Sequence, residues 1–237
     1  MNLVIDCGNT RIKTATFSGA DLVKKFSFQS RDELKLFLDS NQFVSSIISS
    51  VGIPAEEISR FVKAEKKFVL KHVLPLPIKI LYQTPETLGV DRIAAVCGAL
   101  SIFPSDDALV IDAGTCVTYD FVDRNKNYYG GAISPGINMR FEAMHTFTKR
   151  LPLVEAAPEK LIGDSTESSM RSGVMNGILG EVEGFINNYR IKYPDLRVVL
   201  CGGDTQFFEN NLKPTIFAAP DLVLIGLNRI LNHNAAL

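Results

Sequence analysis

The chain has 237 residues, of which 46% are hydrophobic and 22% charged, and its formal net charge is −1. That length suits one large globular domain or two modest ones, with a sizeable core either way. The near-neutral balance, with basic residues scattered rather than clustered, argues against a nucleic-acid-binding surface.

In chain order, residues 2–6 and 11–17 predict two short strands around a tight CGNT turn. This is a hairpin in which Gly8 and Asn9 both tolerate positive φ. Residues 30–40 predict a helix opened by Ser30 and Glu33 in capping-box spacing. Residues 45–51 read as a buried strand, 54–64 as a helix starting at Pro54, and 68–73 and 78–83 as short strands. A turn and a helix follow over 89–104. The second half repeats the theme, with strands at 108–112, 117–123 and 127–134. A helix from about 137 to 149, an irregular stretch over 150–163 and a long helix from about 164 to 189 come next. Gly173, Gly177, Gly180 and Gly184 weaken that helix, but they share one face and are placed to pack closely on another backbone. A strand at 197–204 runs into a Gly-Gly turn, and a helix from about 219 to 231 closes the chain. Together these predict two related α/β domains, 1–105 and 106–237, that share a cleft.

No apolar run approaches the roughly 20 residues of a membrane span. The chain enters an apolar strand at once, with no basic n-region or cleavage site, so no signal peptide is expected. Cys7, Cys97, Cys116 and Cys201 form no CxxC pair, and His72, His145 and His233 are equally scattered. Neither a disulfide framework nor a thiolate metal site is expected, and a reducing cytoplasm is the expected setting.

The informative feature is a repetition. LVIDCGNT begins at residue 3 and LVIDAGTC at residue 109, an offset of 109 − 3 = 106 residues, close to half the chain. Each copy is an apolar strand that ends in Asp, then a Gly-containing turn with a threonine. Such turns bring backbone N–H groups forward, and glycine lets a ligand approach the backbone. Asp6 and Asp112 can each hold a cation or its waters, and Thr10 and Thr115 add hydroxyl donors. Two such turns facing one another would clamp a polyphosphate with its metal. One copy alone would read as an ordinary polar turn. Neither GxxxxGK[ST] nor GxGxxG is present, which argues against P-loop and Rossmann sites.

The two turns resemble the phosphate loops of the acetate and sugar kinase, Hsp70 and actin superfamily. More narrowly, the chain resembles the type III pantothenate kinases. DCGNTRIK (6–13) matches that family's first phosphate motif, GVDR (89–92) its pantothenate motif and DAGTC (112–116) its second phosphate motif. GGAISPGINM (130–139) matches its interface motif, and CGGD (201–204) resembles the adenosine-side segment. The matches keep the family's order over nearly the whole chain, which is somewhat short for the family, with the missing length before GVDR. The resemblance implies an α/β fold of two ribonuclease-H-like (actin-like ATPase) domains, with mixed sheets flanked by helices. It also implies a reaction, ATP-dependent phosphorylation of pantothenate, the first step of coenzyme A biosynthesis.

Carried over residue by residue, the resemblance implies ATP binding by Asp6, Cys7, Gly8, Asn9, Thr10, Arg11, Ile12, Lys13 and Thr115. Pantothenate binding falls to Tyr82, Gly89, Val90, Asp91, Arg92 and Thr166, with Asp91 as proton acceptor. Asp112 would hold a monovalent cation, K⁺ or NH₄⁺, and Mg²⁺ would travel with ATP near Asp6. A homodimer is implied, with its active site at or near the subunit interface and no nucleic-acid or membrane partner. Taken singly, these residues have plainer readings. Asp91 can be a helix cap, Arg92 a surface ion pair, Tyr82 an edge-strand aromatic, Thr166 a helix-start hydroxyl and Lys13 a solvated strand residue. A non-catalytic nucleotide-binding regulator, or a kinase or phosphatase of the same superfamily acting on another substrate, are the competing functions.

Overall fold

The computed structural model describes residues 1–8, 11–52, 54–213 and 215–237. They form two compact units. The first comprises Met1–Asp106, Phe121–Gly130 and Asp221–Leu237; the second comprises Asp107–Asp120 and Gly131–Pro220. Asn9 and Thr10, expected in the first turn, lie outside the described residues.

The first unit is built on a five-stranded sheet. Its strands are β1 (Asn2–Cys7), β2 (Ile12–Ser18), β3 (Asp21–Phe28), β4 (Phe43–Ser50) and β5 (Ala64–Val69), in the order β3-β2-β1-β4-β5. The hairpin β1–β2 is antiparallel and β4 runs parallel to β1, so Asp6 lies opposite Lys13 on one side and Ser49 on the other. Side chains alternate across a strand. Leu3, Ile5 and Cys7 therefore share one face, where they pack with Leu34 and Leu38 of α1 (Arg31–Asp39) and Ile58 of α2 (Ala55–Ser59). Asp6 is turned to the other face.

Ser30 caps α1 by accepting the Glu33 amide, as the spacing predicts, while the Glu33 carboxylate accepts the amide of Gln29 rather than that of Ser30. Helix α2 is shorter than expected, with Pro54 as its N-cap residue. On the opposite face Asn2 Nδ2 donates to Asn232 Oδ1 of α7 (Leu222–Ala235) at 2.8 Å. Helix α7 crosses α3 (Val90–Ile102) at two glycines: a Cβ on Gly226 would run into the Ala94 carbonyl, and one on Gly98 into that of Leu222. The last helix thus completes the first unit, although it follows the second in sequence.

The second sheet has the order β11-β10-β7-β8-β9-β6. Its strands are β6 (Lys79–Ile80), β7 (Ala108–Ala113), β8 (Cys116–Val122), β9 (Asn127–Pro135), β10 (Arg197–Cys201) and β11 (Phe217–Ala218). β7 and β10 are parallel, with Asp112 opposite Cys201. This repeats the setting of Asp6 opposite Ser49, so the sequence repeat is also a topological one. Three helices belong to the second unit, α4 (Ile137–Phe147), α5 (Thr166–Lys192) and α6 (Thr205–Asn211). Ile178, Val182 and Ile186 of α5 are fully buried. Gly173, Gly177, Gly180 and Gly184 line another face, and a Cβ at any of them would meet no described atom within 4 Å. The backbone expected against that stripe is not supplied by the described residues of this chain. No helix among these residues is long and apolar enough to cross a membrane.

Candidate active site

The pantothenate motif stands at the start of α3. Gly89 is the N-cap residue, and Asp91 is the second helical residue rather than the cap itself. Asp91 Oδ1 accepts the Arg92 amide at 2.9 Å, one of the first-turn donors that a helix leaves unpaired. A side chain on Gly89 would come to 2.5 Å from that oxygen, so the glycine keeps the approach to the carboxylate open. Arg92 is only 7% exposed, and its guanidinium carbon lies 5.9 Å from the centre of the Tyr82 ring. The ring in turn rests on Gly130, whose φ is +90°. The first unit therefore brings Tyr82, Gly89, Asp91 and Arg92 together.

In the first phosphate turn Asp6 is half-buried at the end of β1 and Lys13 is exposed across the ladder from it. Cys7 and Ile12 point the other way, into the core beneath the turn. Burial, with Asp6 adding to it, pushes the Cys7 thiol up to about 12. Contact of Cys7 or Ile12 with a nucleotide must therefore run through backbone atoms. Gly8 is half-buried and Arg11 exposed.

The second turn is cradled by two glycine segments. Gly114 N–H donates to the Cys116 carbonyl at 2.9 Å and closes the hairpin. Gly136 N–H donates to the Thr115 carbonyl, and a Cβ on Gly136 would collide with the Gly114 carbonyl. From the CGGD segment, Gly202 (φ +97°) abuts both the Ala113 carbonyl and Asp112 Oδ1. The Asp204 amide donates to that same carbonyl at 2.9 Å, and burial raises the Asp204 carboxyl above its usual value. Thr115 itself is exposed. Close contacts within the chain thus account for Gly130 (against the Tyr82 ring), Gly131 (against the Tyr119 carbonyl) and Gly136 of GGAISPGINM.

Thr166 opens α5 behind a Ser165–Ser168 capping box and is exposed. It borders a hollow of about 620 Å³ together with Met144, Leu151, Gly163, Ser169 and Met170. Thr166, Asp112 and Thr115 belong to the second unit, the pantothenate-motif residues to the first.

One group escaped the sequence. Glu181 of α5 accepts from Tyr119 at 2.9 Å and from Arg140 of α4 at 2.5 Å. Arg140 also donates to the Pro135 carbonyl and to Ser134 Oγ, and so ties down the entry to the Gly136 turn. Burial works against the Glu181 charge, but hydrogen bonds from Arg140, Ser134 and Tyr119 outweigh it and hold the carboxyl below the usual glutamate value. Burial and the Glu181 carboxylate push the Tyr119 hydroxyl in the opposite direction, upward. With partners 41 and 62 positions apart, no local spacing announces the group.

The chain is 45% identical over 240 residues to the type III pantothenate kinase of Christiangramia forsetii, covering 99% of each. It is 46% identical over 245 residues to that of Bacteroides fragilis, covering 99% of this chain and 98% of the relative. Both relatives are therefore close to this chain in length. Among solved structures, a conserved Campylobacter jejuni protein of the Baf family superposes with a TM-score of 0.66 at 23% identity, covering 99% of this chain and 100% of that one. A ROK family glucokinase from Streptomyces griseus superposes at 0.55 with 10% identity, covering 98% and 99%. These two show the fold, that of the actin-like ATPase and ROK kinase architecture. A sequence model described as type III pantothenate kinase matches residues 2–188, and with relatives this similar over their full length the chain belongs to the type III pantothenate kinase family.

Proposed function

We propose that Asp91 receives the proton of the pantothenate hydroxyl as the γ-phosphoryl group of ATP is transferred to that oxygen. The chain is a pantothenate kinase, a phosphotransferase with an alcohol acceptor, and its product, 4′-phosphopantothenate, opens coenzyme A biosynthesis. The observation that carries the assignment is the Asp91 carboxylate. Oδ1 is fixed by the Arg92 amide, and Oδ2 has no hydrogen-bond partner among the described residues. One oxygen anchors the group while the other is left for the substrate. In a loose phosphoryl-transfer transition state the hydroxyl needs orientation more than deprotonation, and an anchored carboxylate supplies it. Arg92 and Tyr82 bind the polar and carboxylate end of pantothenate, Gly89 and Val90 line the approach, and Thr166 is contributed by a second copy of the chain.

ATP is bound through the first turn, residues 6–13, and through Thr115. Family membership brings Mg²⁺ with ATP, and Asp6 is the carboxylate placed to hold its waters. Asp112 suits a monovalent cation, K⁺ or NH₄⁺: Asp112 Oδ1 and the Ala113 carbonyl both border Gly202, two oxygens of the kind a hard cation takes. Bound there, the cation would supply positive charge toward an anionic ligand. The exposed glycine stripe of α5, with Ile133 and Phe147 at 62% and 86% exposure, supports a homodimer that completes the site. The four scattered free cysteines, three of them buried, fit a cytoplasmic setting.

Labelled pantothenate, Mg-ATP and K⁺ with the purified chain should yield labelled 4′-phosphopantothenate. Nucleotide binding without that product would favour the regulator, and phosphorylation of another alcohol alone would favour the other-substrate kinase.

A further inference from the structure

Ser49 of β4 is fully buried, and its hydroxyl has no hydrogen-bond partner among the described residues. An unsatisfied buried hydroxyl is costly, and an alanine there would remove the penalty without leaving a large cavity. The position gives the hydroxyl a use. β4 runs parallel to β1 with Ser49 level with Asp6, so the two side chains leave the sheet on the same face, one strand spacing apart, roughly 4.8 Å. That face is opposite to the one filled by Leu3, Ile5 and Cys7. The Asp6 carboxylate thus has a buried hydroxyl on one flank and Lys13 on the other.

We infer that Ser49 is a positioning residue for the nucleotide's metal: its hydroxyl accepts a hydrogen bond from a water that Mg²⁺ carries into the Asp6 site. The inference rests on the reading of Asp6 as the carboxylate that receives Mg-ATP. The hydration shell of Mg²⁺ is retained on binding and presents donors that need acceptors. Carboxylate and hydroxyl side by side offer two acceptors of different charge, and the neutral one adds orientation without adding repulsion toward the phosphates.

The test is binding of the non-hydrolysable analogue AMPPNP, with Mg²⁺ and with EDTA, to the native chain, Ser49→Ala, Asp6→Asn and the double variant, alongside the unfolding midpoint of each ligand-free protein. Ser49→Ala should weaken binding about 3- to 10-fold in Mg²⁺, the value of one hydrogen bond, and leave it unchanged in EDTA. It should add nothing in the Asp6→Asn background. The ligand-free midpoint should hold or rise, since the removed group had no partner. Equal affinities of Ser49→Ala and the native chain in Mg²⁺, or equal weakening with and without metal, would overturn the inference while leaving Asp6 in place. Unaltered metal-dependent binding by Asp6→Asn would overturn the Asp6 reading itself, and the inference with it.

Discussion

The ring of Tyr82 occupies the space that a side chain on Gly130 would need: a Cβ there would lie 2.5 Å from Cδ2 and 2.7 Å from Cε2. The glycine also holds φ at +90°, a conformation that other residues reach only with strain. Through this contact the GGAIS segment sets the ring over which the Arg92 guanidinium lies. Gly130→Ala should displace Tyr82 and raise KM for pantothenate about tenfold, the scale of 1.4 kcal/mol of lost binding. KM for ATP should stay near native. Backbone strain should lower stability by about 1–3 kcal/mol. Steady-state kinetics with each substrate varied in turn checks this, and an equal rise in both constants would mean general loosening instead.

Asp91→Asn separates anchor from chemistry. Asparagine Oδ1 can still accept the Arg92 amide, so the start of α3 should survive, with an unfolding midpoint close to native. Turnover should fall by roughly 10²–10⁴-fold, the usual worth of a positioned proton acceptor. Near-native turnover in the folded variant would leave Asp91 a helix-start residue and nothing more.

How much of this was legible follows from what is local. The LVID strands, the capped α1 and the helix after GVDR announce themselves within a few residues, and they are where they were expected. β3 was missed because DLVKKFSF lies on an exposed sheet edge and carries three exposed positions in a row, so it has no clean alternation. β5 was placed too late for a similar reason: AEKKFV is a charged edge strand whose apolar residues come only at its end. α6 has seven residues and two buried positions, too few for a periodic signal. At the candidate site, motifs pointed to Asp6, Asp91 and Asp112. Ser49 was invisible because its meaning lies in a parallel register with a residue 43 positions earlier (49 − 6), and strand sequences do not state their register.

The Arg140–Glu181 pair gives stability a pH signature. The folded value of Glu181 is lowered. Its contribution is therefore full above the unfolded glutamate value, about 4.3, and is lost as pH falls through the folded value. Glu181→Gln should cost about 1–2 kcal/mol at pH 7, less than a wholly buried pair because both side chains keep some solvent contact. The difference between native and variant should shrink as pH drops below about 4. Urea denaturation at pH 7 and at pH 3.5 measures it. A gap that persists undiminished in acid would show that the carboxylate charge is not what stabilises the Gly136 turn.

The cation assignment is checked by salt exchange. With Mg-ATP saturating, replacing K⁺ by Na⁺ should depress turnover of the native chain sharply. Asp112→Asn should be slow in both salts and respond little to the exchange. Equal native rates in K⁺ and Na⁺ would remove Asp112 from that role.

Whether two chains share each site is decided by complementation. A Cβ on the glycine stripe of α5 would meet no described atom within 4 Å, and Thr166 stands exposed at the start of the same helix, so both are available to a second copy. Asp91→Asn removes the proton acceptor, and Thr166→Trp fills the hollow that Thr166 borders. Each variant alone should be nearly inactive. If pantothenate lies between the GVDR loop of one subunit and the Thr166 region of the other, a mixed dimer gathers both lesions into one site and leaves the other intact. Random exchange between equal amounts makes half of the dimers mixed, each with one working site of two, so activity should recover to at most about a quarter of native. Subunit exchange is followed independently by mass. Exchange without recovered activity would mean that each chain builds its site alone.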